Sequence, residues 1–438
     1  MLHSREVSIS RCWPFHLDSH HNRPNFDRNE KGCRPMLAKS RTIASLLFAL
    51  TSFFACTPTQ SPWEQHMEEG TWFLQEGKFE EAETAFTSAL KETEEFDPRD
   101  PRINETLLKL AEVQSARGSY DKAQEYLQHV IDRIEAQHGP DAEELAAPLS
   151  NLGAVQHALE HDEEAMHLFE RALAIRERVH GPEHPDLILD LKNLAGVHIA
   201  HREYVHAEPY LRRALAIAEQ AAGPESLSLV PHLNNLALLY QAQQRFAEAE
   251  GLLQRAVDIH EHAVGDDHPR LIGSLHNLAA LYHTQGAYEK AVPLLTRIVR
   301  IVENAYGPET PRLAAPLTNM AATYTAMGRD QEAEEALRRA LTILETKRGK
   351  EDPALAGILN NLALLYVGQG KYEQAEPLFT RAIAIIEHAK GPSHPALERT
   401  LRNYAAMLEK SQRADEAKTL LARAQSIRDQ RTKAHSSP

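Results

Sequence analysis

NNLALLYVGQGKYEQAEPLFTRAIAIIEHAKGPSHP, residues Asn360 to Pro395, holds two amphipathic helical patterns, a glycine-centred turn between them and a closing Gly-Pro loop. Its anchor, Asn361, recurs at intervals of 42 residues as Asn151, Asn193, Asn235, Asn277, Asn319, Asn361 and Asn403. Composition cannot keep one interval through seven copies. A period of this length marks a stack of supersecondary units, each burying its apolar face on its neighbours.

The columns of the repeat agree on helices. One residue after the anchor stands Leu152, Leu194, Leu236, Leu278, Met320, Leu362 or Tyr404. Five residues after it stand Tyr240, Tyr282, Tyr324 and Tyr366, with Gln156 and His198 in earlier copies. Fourteen residues after it the residue is always alanine: Ala165, Ala207, Ala249, Ala291, Ala333, Ala375 and Ala417. Apolar residues continue from there in steps of three and four, which define one helical face, and alanine on that face lets helices approach closely. Gly286, Gly328 and Gly370 fall in the turn between the helices, and Gly181 to Gly391 close each second helix. Ser226, Thr310 and Asp352 sit at N-cap positions, and Pro185, Pro269, Pro311, Pro353 and Pro395 are expected at the first helical position. Two further units precede the asparagine series, one around Lys109, Gly118 and Ala123 and one in residues 62–96, so about nine helix pairs are expected.

Composition narrows the function. The formal net charge is −14, and residues 56–438 hold 40 Lys/Arg against 58 Asp/Glu. Such acidity is a poor match for nonspecific contact with nucleic acid or an anionic membrane surface. The three cysteines, Cys12, Cys33 and Cys56, all precede the repeats, so the array itself has no disulfide or thiolate metal site. No stretch reaches the roughly 18 apolar residues of a spanning helix.

The front of the chain has its own grammar. Residues 1–35 lack periodicity and read as a disordered or mis-called extension. Met36 opens a signal-peptide pattern over 36–55, with Lys39 and Arg41 ahead of an apolar run from Ile43 to Ala55. Residues 56–61 are a short linker, the repeats fill 62–430, and 431–438 form a tail. Phe53-Phe54-Ala55-Cys56 resembles a bacterial lipobox, with Phe53 where leucine is usual. That resemblance implies lipidation of Cys56, and Thr57 in place of Asp after it favours the outer membrane, facing the periplasm. The alternative is a cytoplasmic protein with a genuine 1–35 extension.

The 42-residue pattern LNNLAxLY…GxYxxAExLxxRAL…GPxHP resembles the tetratricopeptide repeat, in its kinesin-light-chain-like form, over residues 62–428. The resemblance implies an all-α superhelical solenoid whose first helices line a concave groove for peptides. Carried over, the groove wall holds Ser150-Asn151, Lys192-Asn193, Asn234-Asn235, His276-Asn277, Thr318-Asn319, Asn360-Asn361 and Arg402-Asn403. The heptad coiled coil ahead of the repeats in kinesin light chains is missing, so nothing supports a motor-linked role. An asparagine amide both donates and accepts, so a ladder of them suits a peptide backbone of any sequence. The competing reading is that these amides join adjacent helices.

Other motifs carry less. His157-Ala158-Leu159-Glu160-His161 matches the H-x-x-E-H zinc-protease signature, but the aligned columns place it at a helix end and turn. His198, His201 and His206 lie close in the next repeat and read best as surface or packing histidines. His184, His268 and His394 precede prolines and are expected to settle the loop. Arg171, Arg213, Arg255, Arg297, Arg339, Arg381 and Arg423 form a full column. With glutamates beside them, ion pairing is the better account than a nucleic-acid track. The expectation is a non-catalytic scaffold without cofactor, metal, nucleic acid or small-molecule substrate, its partner a protein or peptide in the groove. A metal-dependent hydrolase built on the histidines of 157–206 is the alternative from another class.

Overall fold

The computed structural model describes residues 60–436 of the chain; the extension, the signal pattern and Cys56 lie outside them. Among the described residues there are α-helices and short 3-10 turns and no strand. The chain divides into two units at Gly181.

The first unit holds α1 (Pro62–Gln75), α2 (Phe79–Glu92), α3 (Pro101–Ala116), α4 (Tyr120–His138), α5 (Ala146–Ala158) and α6 (Asp162–His180). The second holds α7 (Ile188–Ala200), α8 (Tyr204–Ala222), α9 (Val230–Ala242), α10 (Phe246–Val264), α11 (Leu271–Thr284) and α12 (Tyr288–Tyr306). It continues with α13 (Ala314–Ala326), α14 (Asp330–Arg348), α15 (Leu355–Gly368), α16 (Tyr372–Lys390), α17 (Ala396–Lys410) and α18 (Ala414–Ser436). Each odd helix packs on the even helix after it, and each even helix on the next odd one within its unit. Within each unit the helix pairs stack in series, as expected of an all-α repeat array. Its last helix runs on into the segment expected as a tail.

The column of alanines explains how close the pairs come. Ala165, Ala207, Ala249, Ala291, Ala333, Ala375 and Ala417 are all fully buried. The core of the second unit is continuous from Ala195 to Ile427. Among the described residues of the first unit, one cluster lies around Trp63 and Phe86 and another runs from Leu107 to Ile175. In the former, the Trp63 indole N–H donates to Thr106 Oγ1 at 2.9 Å, which satisfies its polar edge inside the core.

The second helices from α4 to α16 each end on a glycine with φ between 84° and 92°, from Gly139 through Gly391. The glycine N–H donates to the glutamate carbonyl four residues back, as Gly265 does to Glu261 at 2.8 Å. The next cap is supplied by whichever side chain stands in the following column. Ser226, Thr310 and Asp352 accept from the N–H two residues on, as expected, and His184, His268 and His394 do the same through Nδ1. The histidines therefore settle the loop. The prolines differ from expectation. Pro185 and Pro311 open 3-10 turns, and the α-helix begins three residues later. Pro395 is itself the residue before α17. The tighter turn fits because a capped residue followed by proline already bonds i to i+3.

The turn inside each pair needs a left-handed residue. Gly286, Gly328 and Gly370 meet that need with φ of 71–75°, whereas Glu160, Arg202, Gln244 and Gln412 adopt 61–63° with a side chain present. A Cβ in that region costs roughly 1–2 kcal/mol. The buried helix pairs on either side hold the turn in place.

Candidate functional site

In the second unit the first helix of each pair leaves one face open. On α9 that face carries Pro231, Asn235 and Leu238, on α11 Gly273, Asn277 and Ala280, and on α15 Gly357, Asn361 and Leu364. Leu238 and Leu364 are 43% and 40% exposed, and Leu189 on α7 is 52% exposed. None of these columns carries an acidic side chain in the second unit, although the chain as a whole is acidic. From α7 to α15 the face is small or apolar, with one half-buried amide per helix; on α17 Arg399 stands in it.

The anchor column divides in two. The side chains of Asn193, Asn235 and Asn277 make no hydrogen bond among the described residues, and Asn151 is exposed on α5 of the first unit. Asn319 Nδ2, by contrast, lies 2.8 Å from His276 Nε2, and Asn403 Nδ2 donates to Asn360 Oδ1 at 2.9 Å. Asn361 accepts from Asn360 at 3.4 Å. In both long-range pairs the residue before one anchor reaches the anchor of the next repeat. These amides join adjacent first helices, and the others are left to a partner or to water.

The column before the anchor turns toward the seam between helices. Ser150 and Asn360 are buried; Ser150 Oγ donates to the Ala146 carbonyl at 2.9 Å, and Thr318 Oγ1 to the Ala314 carbonyl at 2.7 Å. Arg402 lies 3.4 Å from Glu398 on its own helix. Asn234 Oδ1 is sealed from solvent without a hydrogen bond. Lys192 is half-buried, and its charge adds to burial in pushing the His232 imidazole down to about 4. His232 is therefore neutral through the physiological range.

The arginine column clasps successive repeats. Arg171 reaches the Pro140 carbonyl at 2.6 Å and Glu135 at 2.6 Å. Within the second unit Arg255, Arg339, Arg381 and Arg423 repeat this on the carbonyls of Pro224, Pro308, Lys350 and Pro392 at 2.8–3.1 Å. Each also pairs with the glutamate at the end of the preceding second helix: Glu219, Glu303, Glu345 and Glu387. Arg297 does likewise with Glu261 and the Asp266 carbonyl. The guanidinium fork fills an acceptor pair made by a helix end and a loop.

Tyrosines of the first helices form a second set of ties. Tyr240 donates to Glu208 at 3.0 Å, Tyr282 to Glu250 at 2.8 Å and Tyr366 to Glu334 at 2.9 Å. Arg245 lies over the Tyr240 ring at 4.1 Å and pairs with Glu208 and Glu248. The bond from Arg245 holds the Glu208 carboxyl below its usual range. Burial, then the bond to Glu250, pushes the Tyr282 hydroxyl up to about 12.

The H-x-x-E-H residues do not converge. His157 pairs with Asp162, His161 Nδ1 lies 3.0 Å from Gln156 Oε1, and Glu160 occupies the left-handed turn. In the next repeat the ligand atoms of His198, Glu203 and His206 all lie within 4.8 Å of one another. His201, the other histidine of this stretch, is not a member of this set. Glu203 was missed because its role depends on the turn at Arg202, which folds it back beside His198.

The family profile described as tetratricopeptide repeat matches residues 102–178, 163–220, 229–304, 274–346 and 354–430. Among solved structures, repeats of a putative kinesin light chain from Podosopora anserina are 27% identical, covering 47% of this chain and 98% of that one, with a TM-score of 0.42. BtubC (BKLC) from P. vanneervenii is 24% identical over 55% of this chain and 92% of that one, with a TM-score of 0.43. The apo form of RapI is 14% identical over 85% of this chain and 99% of that one, with a TM-score of 0.56, a likeness of fold. No curated protein matches the chain. With the profile laid over most of its length in five overlapping or successive segments, the chain belongs to the tetratricopeptide repeat family.

Proposed function

We propose that the chain is a non-catalytic scaffold that binds an extended segment of a partner protein along the first-helix face of its second unit. The observation that carries this reading is the set of unengaged amides at Asn193, Asn235 and Asn277, framed by small or apolar residues. Packed helices stand about 8–10 Å apart, and an extended chain advances about 3.3 Å per residue. One amide per helix therefore matches about every third residue of the partner's backbone. Such contacts hold a main chain without reading its sequence, and Leu189, Leu238 and Leu364 offer apolar purchase beside them.

The test is the double variant Asn235→Ala with Asn277→Ala. Each lost hydrogen bond is worth about 0.5–1.5 kcal/mol, so affinity for partners captured by the wild-type protein should fall by about 5- to 150-fold. The melting temperature should hold or rise, because alanine is the better helix former. A double variant that unfolds would assign these amides to the fold. A stable one that retains its partners would move binding elsewhere.

We further propose that the protein is exported and held on the envelope by a lipid on Cys56, with the outer membrane favoured. The support is the order of basic residues, apolar run, Ala55 and Cys56 in residues 36–57. Two or more acyl chains suffice for stable attachment. On this reading Cys56→Ala moves the protein from the membrane to the soluble fraction of its native host. Membrane association that survives the change would remove the anchor and favour a cytoplasmic scaffold.

A further inference from the structure

We propose that His198, Glu203 and His206 form a binding site for one divalent transition-metal cation of the zinc class, which clips α7 to α8. His198 lies in the last turn of α7 and is 8% exposed, Glu203 closes the turn, and His206 stands in the first turn of α8. His198 Nδ1 lies 2.8 Å from Glu203 Oε2, and His206 Nδ1 lies 3.9 Å from the same oxygen. The His198 ring is held by Tyr210, stacked at 5.8 Å with an interplanar angle of 12°.

Tetrahedral zinc with bonds of about 2.0–2.2 Å to imidazole nitrogen and carboxylate oxygen sets its ligand atoms about 3.3 Å apart. The three groups are within a side-chain rotation of that spacing. The two that must rotate are the exposed ones: the Glu203 and His206 side chains are 50% and 70% exposed, while His198 supplies the buried ligand. On binding, the cation takes the place of the hydrogen between His198 Nδ1 and Glu203, and the neutral imidazole then carries its proton on Nε2.

The same columns of the next repeat give the chemical reason. There Tyr240, Arg245 and Glu248 form a tie in which the chain itself supplies the cation, the Arg245 guanidinium. In α7–α8 the tyrosine is His198, the arginine is Glu203 and the glutamate is His206. The cationic side chain is gone, a carboxylate stands in its column, and the flanking residues have become imidazoles. The substitutions together make a donor set of two nitrogens and one oxygen suited to an external borderline cation. Zinc here joins the end of one helix to the start of the next across a turn that Arg202 closes at φ 61°.

The experiment is calorimetric titration of the full chain with zinc chloride, alongside thermal melts with and without zinc. Histidines elsewhere in the chain are potential zinc ligands too, so the readout is the difference between variants. His206→Ala and Glu203→Gln should each remove one zinc equivalent or weaken it at least tenfold, and should reduce the zinc-dependent rise in Tm. His198→Tyr combined with Glu203→Arg installs the residues of the neighbouring repeat. It should fold without zinc and lose the same equivalent. Unchanged stoichiometry, affinity and zinc-dependent Tm in all three variants would overturn the site and leave adventitious binding elsewhere.

Discussion

Replacing Ala249 and Ala333 together by leucine is expected to cost about 2–6 kcal/mol of folding stability. Each methyl is fully buried between the two helices of its pair, and inserting a larger side chain into a packed core costs about 1–3 kcal/mol. The sites lie two repeats apart and share no partner, so the costs should add. In a repeat array stability is close to a nearest-neighbour sum, so the loss should be local. Hydrogen exchange should show α9–α10 and α13–α14 opening first, with protection kept in α17–α18. Gly251→Ala is the control, because a Cβ there meets nothing within 4 Å. Uniform loss of protection along the second unit, or no change in the urea midpoint, would contradict the close approach at this column.

Removing two guanidiniums from the clasp column should have an effect of similar size. Arg297→Ala with Arg339→Ala deletes two ion pairs and two bonds to loop carbonyls. Hydrogen bonds to charged groups are worth about 1.5–3 kcal/mol each, while half-exposed ion pairs add little. A total of about 3–6 kcal/mol is expected. The arginine side chains are 22% and 40% exposed, which places the first site nearer the upper end. The bond to the carbonyl does not depend on long-range charge, so most of the loss should persist in 1 M salt. Arg297→Lys should recover part of it, since an ammonium reaches one acceptor and lacks the fork. A loss abolished by salt, or complete rescue by lysine, would make the column a simple charge effect.

The glutamates of the tyrosine ties add a pH term of definite sign. Glu208, Glu250 and Glu376, the last accepting from Tyr404 at 2.7 Å and Arg413 at 2.6 Å, are held below their usual range, the first and last chiefly by arginine and the second by Tyr282. A carboxylate depressed in the folded state stabilises above its unfolded value and loses that contribution as pH falls through the folded one. The array is accordingly weaker in acid.

Much of the fold was legible because the repeat writes its packing locally. The alanine column, the closing glycines and the caps at Ser226, Thr310 and Asp352 are each decided by neighbours three or four residues away. Spacing along the chain states those relations directly. The prolines were read one step too simply, since a 3-10 turn and the first turn of an α-helix share the same φ at proline.

The asparagine ladder marks where that legibility ends. By itself the sequence determined the period, the helix pairs, the faces they bury and the row of amides at one register. Only the tertiary structure decided that Asn319 and Asn403 are joined to the preceding repeat while Asn235 and Asn277 are left open. It also decided that the arginines reach back to a loop and a helix end, and that Glu203 rather than His201 joins His198 and His206. The physical reason is common to all three. A helical face is set by angles between near neighbours, whereas a hydrogen bond or a ligand set is fixed by distances of a few ångströms. Between residues 31 to 43 positions apart those distances follow from how two helices pack, and across a five-residue turn from one left-handed residue.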